Sequence, residues 1–332
     1  PALVSKRARE LRDRFDPARP IAVQLDYSPE AAVLELALLE ADIPVLSLPA
    51  FFTCEQRDHA LTACGAQACF VSNPREADES FRTAPVPLPG GTARITFTSG
   101  STGTPKGVCL SADHMLTVAA SVVEALGIEH AGRHLALLPP GILLETVAGF
   151  LATMLAGGTY VCPAQAETGL ADPFRPDFAQ MLRLIVTEDV TSLILVPEYL
   201  AGLVAAMTAS GTRLPKLTLV AVGGARTPPE LIARARALGL PVRQGYGLTE
   251  CASVVSLEDG SGDAPGSVGK PLGHLNARLA EDGEIVLDGP MCLGTIGQPR
   301  APGPFHTGDI GAIDAAGRLS ISGRKSNLIV TS

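Results

Sequence analysis

The chain has 332 residues, of which 46% are hydrophobic and 18% charged, with a mean hydropathy of +0.25. That is enough apolar material for a large core and excludes an intrinsically disordered chain; the length sets a prior of about two structural units. The net charge is −8 with no long basic run, and aromatics are 4% with no Trp, which argues against nucleic acid or an anionic membrane surface as partner. No stretch reaches the ~18 uninterrupted apolar residues of a membrane span. Glu35 and Glu40 break one candidate, Glu145 a second, and Pro197 with Glu198 a third. The seven cysteines (Cys54, Cys64, Cys69, Cys109, Cys162, Cys251 and Cys292) are odd in number, scattered and without a CxxC pair. Free thiols in a reducing, cytoplasmic compartment fit that pattern better than disulfides or a zinc site.

Residues 5–15 predict an amphipathic helix, charged and lacking the apolar core of a secretory leader. Residues 20–26 predict a buried strand. Ser28 and Pro29 then open a helix running to 41, the first as N-cap and the second at the first helical position. A strand at 43–48, a helix at 53–64 and a strand at 68–72 follow, and 74–91 is a loop. The alternation resumes with strands at 93–98, 134–138, 159–161, 192–196, 217–222 and 242–244. Between them lie helices at 111–126, 145–156, 178–188, 197–209 and 228–238. Strands alternating with helices at this spacing mean βαβ units and a largely parallel sheet, whose ligands bind at the carboxyl ends of strands. Beyond about 262 the texture changes to short strands (277–280, 284–287, 311–314 and 318–322) with turn signals. These predict a small β-rich subdomain of antiparallel hairpins.

The strongest chemical signal is the run FTSGSTGTPKGV at 97–108, after a strand and before a helix. Thr98, Ser99, Ser101 and Thr102 supply hydroxyl donors, and Gly100 and Gly103 let backbone N–H groups approach an anion. Lys106 adds a cation. It is not a Walker A loop, because Pro105 and Gly107 flank the lysine where Gly and Ser/Thr are required. The second signal is QGYGLTE at 244–250. Tyr246, bracketed by Gly245 and Gly247, can offer its ring face to a planar heterocycle, Thr249 can donate to a phosphate, and Glu250 is a hard oxygen ligand suited to Mg²⁺. Three weaker signals are VGGAR at 222–226, Thr307-Gly308-Asp309 as a turn that could accept ribose hydroxyls, and Gly323-Arg324-Lys325 as a basic turn. The six histidines do not cluster at metal-ligand spacing. Cys251, beside Glu250, has no evident base to make it a nucleophile.

Taken in order and spacing, FTSGSTGTPKGV, GGAR, QGYGLTE, FHTGD and GRLSISGRK resemble the adenylate-forming (AMP-binding) superfamily, and in particular its fatty acyl-CoA synthetases. The resemblance covers essentially the whole chain. It implies the α/β fold of that family's large N-terminal domain, with stacked, largely parallel αβα sheets and a small β-rich subdomain. The expected division is a nucleotide- and acyl-binding core at 1–262, a β-rich subdomain at 263–323 and a hinge region at 324–332. The implied reaction has two steps. A carboxylic acid attacks the α-phosphate of ATP, giving acyl-adenylate and pyrophosphate. Coenzyme A or a carrier-protein phosphopantetheine then displaces AMP.

Carried over residue by residue, Thr98, Ser99, Gly100, Ser101, Thr102, Gly103 and Lys106 would cradle the β- and γ-phosphates. Gly224, Ala225 and Tyr246 would bracket adenine, with Arg226, Gln244, Gly245 and Gly247 in the same two segments. Thr249 would contact the α-phosphate, Glu250 would hold Mg²⁺, and Asp309 and Arg324 would hold ribose. Lys106, Thr249 and Glu250 are the expected catalytic set.

Two departures accompany the resemblance. The family carries a further C-terminal domain with a catalytic lysine, whereas this sequence stops at Ser332, shortly after the hinge position at Ser326. The expectation is therefore of a large N-terminal domain alone, impaired in the full ligation. In 138–149, LPPGILLETVAG, Ile142 stands where many fatty acyl-CoA synthetases have His or an aromatic, and there is no Asp to pair with an amino acid's ammonium. An apolar acyl chain or other uncharged acid is expected, with an acyl carrier protein as a candidate partner. Glu145 fits the family pattern, although the same position suits an exposed helix face. The competing reading is a non-catalytic or degenerate nucleotide- or acyl-adenylate-binding module acting with a partner.

Overall fold

The computed structural model describes residues 1–81, 83–98, 106–128, 132–260 and 266–327. Helix α1 (Ala2–Arg14) leads into strand β1 (Ile21–Val23), α2 (Pro29–Glu40), β2 (Val45–Ser47), α3 (Cys54–Cys64) and β3 (Ala68–Phe70). The expected Ser28 cap is present, accepting from the Ala31 N–H. Thr53 and Gln56 add a reciprocal capping box that was not expected. Next come β4 (Arg94–Thr98), β5 (Lys106–Leu110), α4 (Ala112–Leu126) and β6 (Arg133–Leu135). A π-helical segment (Glu145–Leu151) runs directly into α5 (Ala152–Leu155).

The alternation continues with β7 (Thr159–Val161), α6 (Gln165–Thr168), α7 (Phe178–Thr187), β8 (Ser192–Leu195), α8 (Pro197–Ser210), β9 (Leu219–Val222), α9 (Pro229–Ala237) and β10 (Val242–Tyr246). The remaining strands are β11 (Ser256–Leu257), β12 (Ser267–Pro271), β13 (Asn276–Leu279), β14 (Glu284–Asp288), β15 (Gly294–Thr295), β16 (Gln298–Pro299), β17 (Phe305–Ile313) and β18 (Leu319–Arg324).

Among the described residues the strands form two sheets. The first runs β16–β15–β5–β4–β2–β1–β3, parallel from β4 to β3 and antiparallel from β4 to β16. Its parallel strands bury both faces, as parallel strands do. Ile21 and Val45 pack under α1 and α2, while Ala22, Leu46 and Ile95 pack on the α3 side. The second sheet runs β13–β14–β17–β18–β12–β11–β10–β9–β8–β6–β7. From β10 to β7 it is parallel; the ladder then continues through β11 and β12 into the antiparallel strands. Leu193, Leu195, Val220 and Val222 point to one face of that parallel half and form a core with α7, α8 and α9. The alternate residues point to the other face, which borders the cleft described below.

The largely parallel α/β architecture expected from the sequence is present, with three local corrections. Residues 97–108 do not pass from strand to helix. They join two antiparallel strands, with Thr98 opposite Lys106 and Phe97 opposite Gly107, and only afterwards does α4 begin. Thr307-Gly308-Asp309 is no turn but lies within β17, and Arg324 closes β18 directly opposite Asp309. The predicted helix at 145–156 is present in outline, but its first two turns are π-helical.

Candidate functional site

A cleft of about 560 Å³ opens where β4, β9 and β10 end. At its mouth stand Thr98, Gly223, Gly224, Gly245, Tyr246, Gly247 and Thr249, drawn from three of the sequence motifs. Ala225 and Arg226 follow on the exposed segment after β9. Lys106 is exposed at the start of β5, so the hairpin returns a cation beside Thr98. Ser99, Gly100, Ser101, Thr102 and Gly103 lie outside the described residues. Gln244 does not face the cleft mouth; it is buried in β10, and its N–H donates to Glu258 Oε2 at 2.7 Å.

Two further candidates reach the cleft through Tyr246. Its phenol donates to Asp309 Oδ2 at 2.5 Å, and Arg324 Nε donates to Asp309 Oδ1 at 3.0 Å. Arg324 also donates through Nη1 to the Thr307 carbonyl at 3.0 Å, while Thr307 Oγ1 accepts from the Asp309 N–H at 3.1 Å. Asp309 is only 4% exposed, so this chain holds a buried carboxylate by its two oxygens and fixes the tyrosine ring in one orientation. Burial first, and then the bond to Asp309, push the Tyr246 phenol well above its ordinary pKa, which keeps it a donor. His306 does not touch Asp309; its Nδ1 lies 3.2 Å from Glu284 Oε2, and Glu284 Oε1 accepts from the Gly308 N–H at 2.9 Å.

Gly247 shows why this loop carries glycine. A Cβ there would sit 1.5 Å from the Ser253 carbonyl oxygen, so no side chain fits. The next residues wind into a 3₁₀ turn, Thr249–Cys251, which presents Thr249 to the cleft and leaves Glu250 half-buried beside it. The Glu250 carbonyl is tied by the Cys292 N–H at 2.7 Å. Among the described residues no three His, Cys, Asp or Glu side chains are grouped to hold a metal ion. A single carboxylate fits Mg²⁺, which commonly takes one or two protein carboxylates and fills its shell with phosphate oxygens and water. Cys251 is buried, and burial raises its thiol, which removes it as a nucleophile.

Below the mouth the cleft becomes apolar. Val122, Val123 and Leu126 of α4, Leu144 and Ala148, and Ile194, Leu219 and Ala221 of the sheet line it. Ile142 lines it too. Its far end is polar, which the sequence reading did not foresee. His134 of β6 and Ser192 of β8 stand opposite each other in register, with Nδ1 and Oγ 2.9 Å apart. His134 Nε2 lies 3.1 Å from Glu145 Oε1, and the Tyr160 phenol donates to the same oxygen at 3.1 Å. The Tyr160 ring stacks on the imidazole with an interplanar angle of 11°. Glu145 is 2% exposed, so the helix-surface alternative for this residue is wrong. The only sequence signals for this network were single polar residues inside otherwise apolar strands, His134 before LALL and Ser192 before LILV.

Comparison with known proteins agrees with the geometry. The model of the AMP-binding enzyme family matches residues 73–296. A feruloyl-CoA synthase from Amycolatopsis sp is 29% identical over 256 residues, covering 71% of this chain and 50% of that protein. A 2-succinylbenzoate–CoA ligase from Bacillus velezensis is 31% identical over 259 residues, covering 72% and 50%. The chain thus spans about half the length of the curated relatives it matches. Among solved structures, o-succinylbenzoate coenzyme A synthetase from Bacillus subtilis in complex with AMP superposes with a TM-score of 0.81 at 24% identity, covering 100% of this chain and 74% of that one. A long-chain-fatty-acid–CoA ligase from Archaeoglobus fulgidus gives 0.80 at 19% identity, covering 97% and 76%. These two show the fold. With the family model spanning well over half its length and the ordered motifs converging on one cleft, the chain belongs to the AMP-binding enzyme family.

Proposed function

We propose that this chain binds ATP at the mouth of the cleft and activates a carboxylic acid held in the apolar part as its acyl-adenylate. The observation that carries the reading is the continuity of one cleft: Thr98, with Lys106 opposite it, and the Tyr246–Asp309–Arg324 chain at the mouth, and an apolar stretch below. A carboxylate oxygen attacks the α-phosphorus, the bond to the β-phosphate breaks, and pyrophosphate leaves. Such a transfer needs positioning and charge neutralisation more than a protein acid or base. Tyr246 offers its ring to adenine, Asp309 accepts ribose hydroxyls, Thr249 donates to the α-phosphate, and Lys106 neutralises the distal phosphates. Gly224 and Ala225 form the opposite lip. Mg²⁺, when bound at Glu250, supplies further neutralisation of phosphate charge. In a second step a thiol, from coenzyme A or a carrier-protein phosphopantetheine, attacks the acyl carbon and AMP departs with its phosphate oxygen.

A structural neighbour, o-succinylbenzoate coenzyme A synthetase from Bacillus subtilis, was captured with ATP and a magnesium ion, which supports nucleotide binding here. The test is acid-dependent ATP–pyrophosphate exchange over a panel of carboxylic acids, with ATP binding measured by calorimetry. Exchange with at least one acid is expected. ATP binding without exchange would favour a nucleotide-binding module, and no binding at millimolar ATP would end the proposal.

A further inference from the structure

We infer that the far end of the cleft reads a hydroxyl group on the substrate acid, so that the preferred acid is one of moderate length carrying a distal hydroxyl rather than a plain alkyl chain. The inference rests on the proposed function and deepens it. The tunnel runs along one face of the parallel strands. On β9 the residues of that face are Leu219 and Ala221, followed by Gly223 at the mouth; on β8 they are Ser192 and Ile194. Ser192 pairs with Leu219 across the ladder, four residues below Gly223. At about 3.3 Å per residue the mouth and Ser192 are roughly 13 Å apart, the reach of about ten methylenes.

An all-apolar floor would be the simplest end for a hydrocarbon tunnel. This chain instead buries His134, Ser192 and Glu145 there, each less than a tenth exposed, and hydrogen-bonds them in series with the half-buried Tyr160. Burying such groups is unfavourable, and one oxygen of the network, Glu145 Oε2, is left without a partner. Space is made for them as well. A Cβ at Gly149 would lie 2.3 Å from Glu145 Oε1 and 2.9 Å from His134 Nε2. Glu145 and Gly149 both lie in the π-helical segment, and such windings recur at functional sites.

The direction of the bonds defines what the floor offers. Glu145 Oε1 accepts from Tyr160, and the His134 tautomer that also donates to it through Nε2–H leaves Nδ1 to accept from Ser192 O–H. The lone pairs of Ser192 Oγ remain, on a side chain that lines the cleft. They accept from a donor on the ligand. A methyl terminus leaves them unpaired, whereas a hydroxyl satisfies them.

The experiment uses two acyl-sulfamoyl-adenosine analogues of equal chain length, about nine or ten carbons, one ending in methyl and one in hydroxyl. Calorimetry on the wild-type chain is expected to give about tenfold tighter binding of the hydroxylated analogue, the worth of one well-placed hydrogen bond. Ser192→Ala is expected to erase that preference by weakening the hydroxylated ligand while leaving AMP binding unchanged. Ser192→Thr, which keeps the hydroxyl, is expected to restore most of it. Equal affinity for both analogues, or a preference for the methyl terminus in wild type, overturns the inference while leaving the proposed function standing. Failure of both analogues and of AMP to bind overturns the proposed function and this inference with it.

Discussion

The bond between Tyr246 and Asp309 ties the mouth of the cleft to the antiparallel half of the second sheet, and Tyr246→Phe isolates it. The phenol donates at 2.5 Å to a carboxylate that is 4% exposed. Hydrogen bonds to charged groups contribute about 1.5–3 kcal/mol, and leaving the acceptor buried without its partner costs the upper part of that range. Arg324 keeps the other oxygen at 3.0 Å, but its side chain is 51% exposed and that pair is screened by solvent, so it offsets little. The variant should melt roughly 3–6 °C lower, given the modest shift per kcal/mol in a chain this long. Its ring face survives, so stacking on adenine, about 1 kcal/mol, should survive too. AMP affinity should nevertheless fall several-fold, because Asp309 is no longer held in one rotamer. Tyr246→Ala should lose the stacking in addition. Scanning fluorimetry and calorimetry with AMP read the two effects separately. A Tyr246→Phe protein that melts and binds AMP as wild type does would show that the Asp309 bond does neither job.

Much of the fold was legible because local signals agreed with it. Ser28-Pro29 announces a helix start that the structure realises, and the helices expected at 53–64 and 111–126 are present. What escaped was set by partners distant in sequence. β5 carries Gly107 and follows a loop-like run, and it is a strand because β4 and β15 flank it. β11, β15 and β16 are two residues each, too short to show a period. Asp309 and Arg324 sit beside glycines, which read as turns, yet the pairing of β17 with β18 places them opposite each other. The mouth of the cleft was visible as ordered motifs. The polar floor was not, since His134 and Ser192 are 58 residues apart and meet only through strand register. A π-helix also has no distinct sequence period, so Glu145 could not be assigned to the interior from its spacing.

The other outcomes follow from the same contacts. Lys106→Ala should weaken ATP about ten- to a hundredfold and AMP far less, since Lys106 stands at the hairpin assigned to the distal phosphates, whereas Asp309→Ala should weaken both alike; equal losses for ATP and AMP in the lysine variant contradict its role. Gly247→Ala forces a Cβ to within 1.5 Å of the Ser253 carbonyl oxygen and should cost at least about 1–3 kcal/mol in urea unfolding together with nucleotide binding; a neutral variant would refute the loop geometry. His114 is buried without a hydrogen-bond partner, and burial, followed by the neighbouring His274, lowers its pKa from 6.5 to about 4. Its unfolded form therefore takes up a proton first as pH falls, so stability should be full above pH 6.5 and drop by up to about 3 kcal/mol by pH 4; His114→Leu should flatten that slope, and an unchanged slope would sink the assignment. The polar floor predicts an order of costs along its chain. Ser192 is the terminal member, and Ser192→Ala removes one bond, leaving only the Nδ1 acceptor open, about 1 kcal/mol. Glu145 is the hub, and Glu145→Ala strands both the His134 Nε2–H and the Tyr160 phenol in the interior, about 2–6 kcal/mol. Urea unfolding of the two variants should therefore separate them clearly. Equal costs would mean that Glu145 does not hold the two donors in common. The ordering also explains why Ser192, and not Glu145, is the position at which acid preference can change while the fold stays intact.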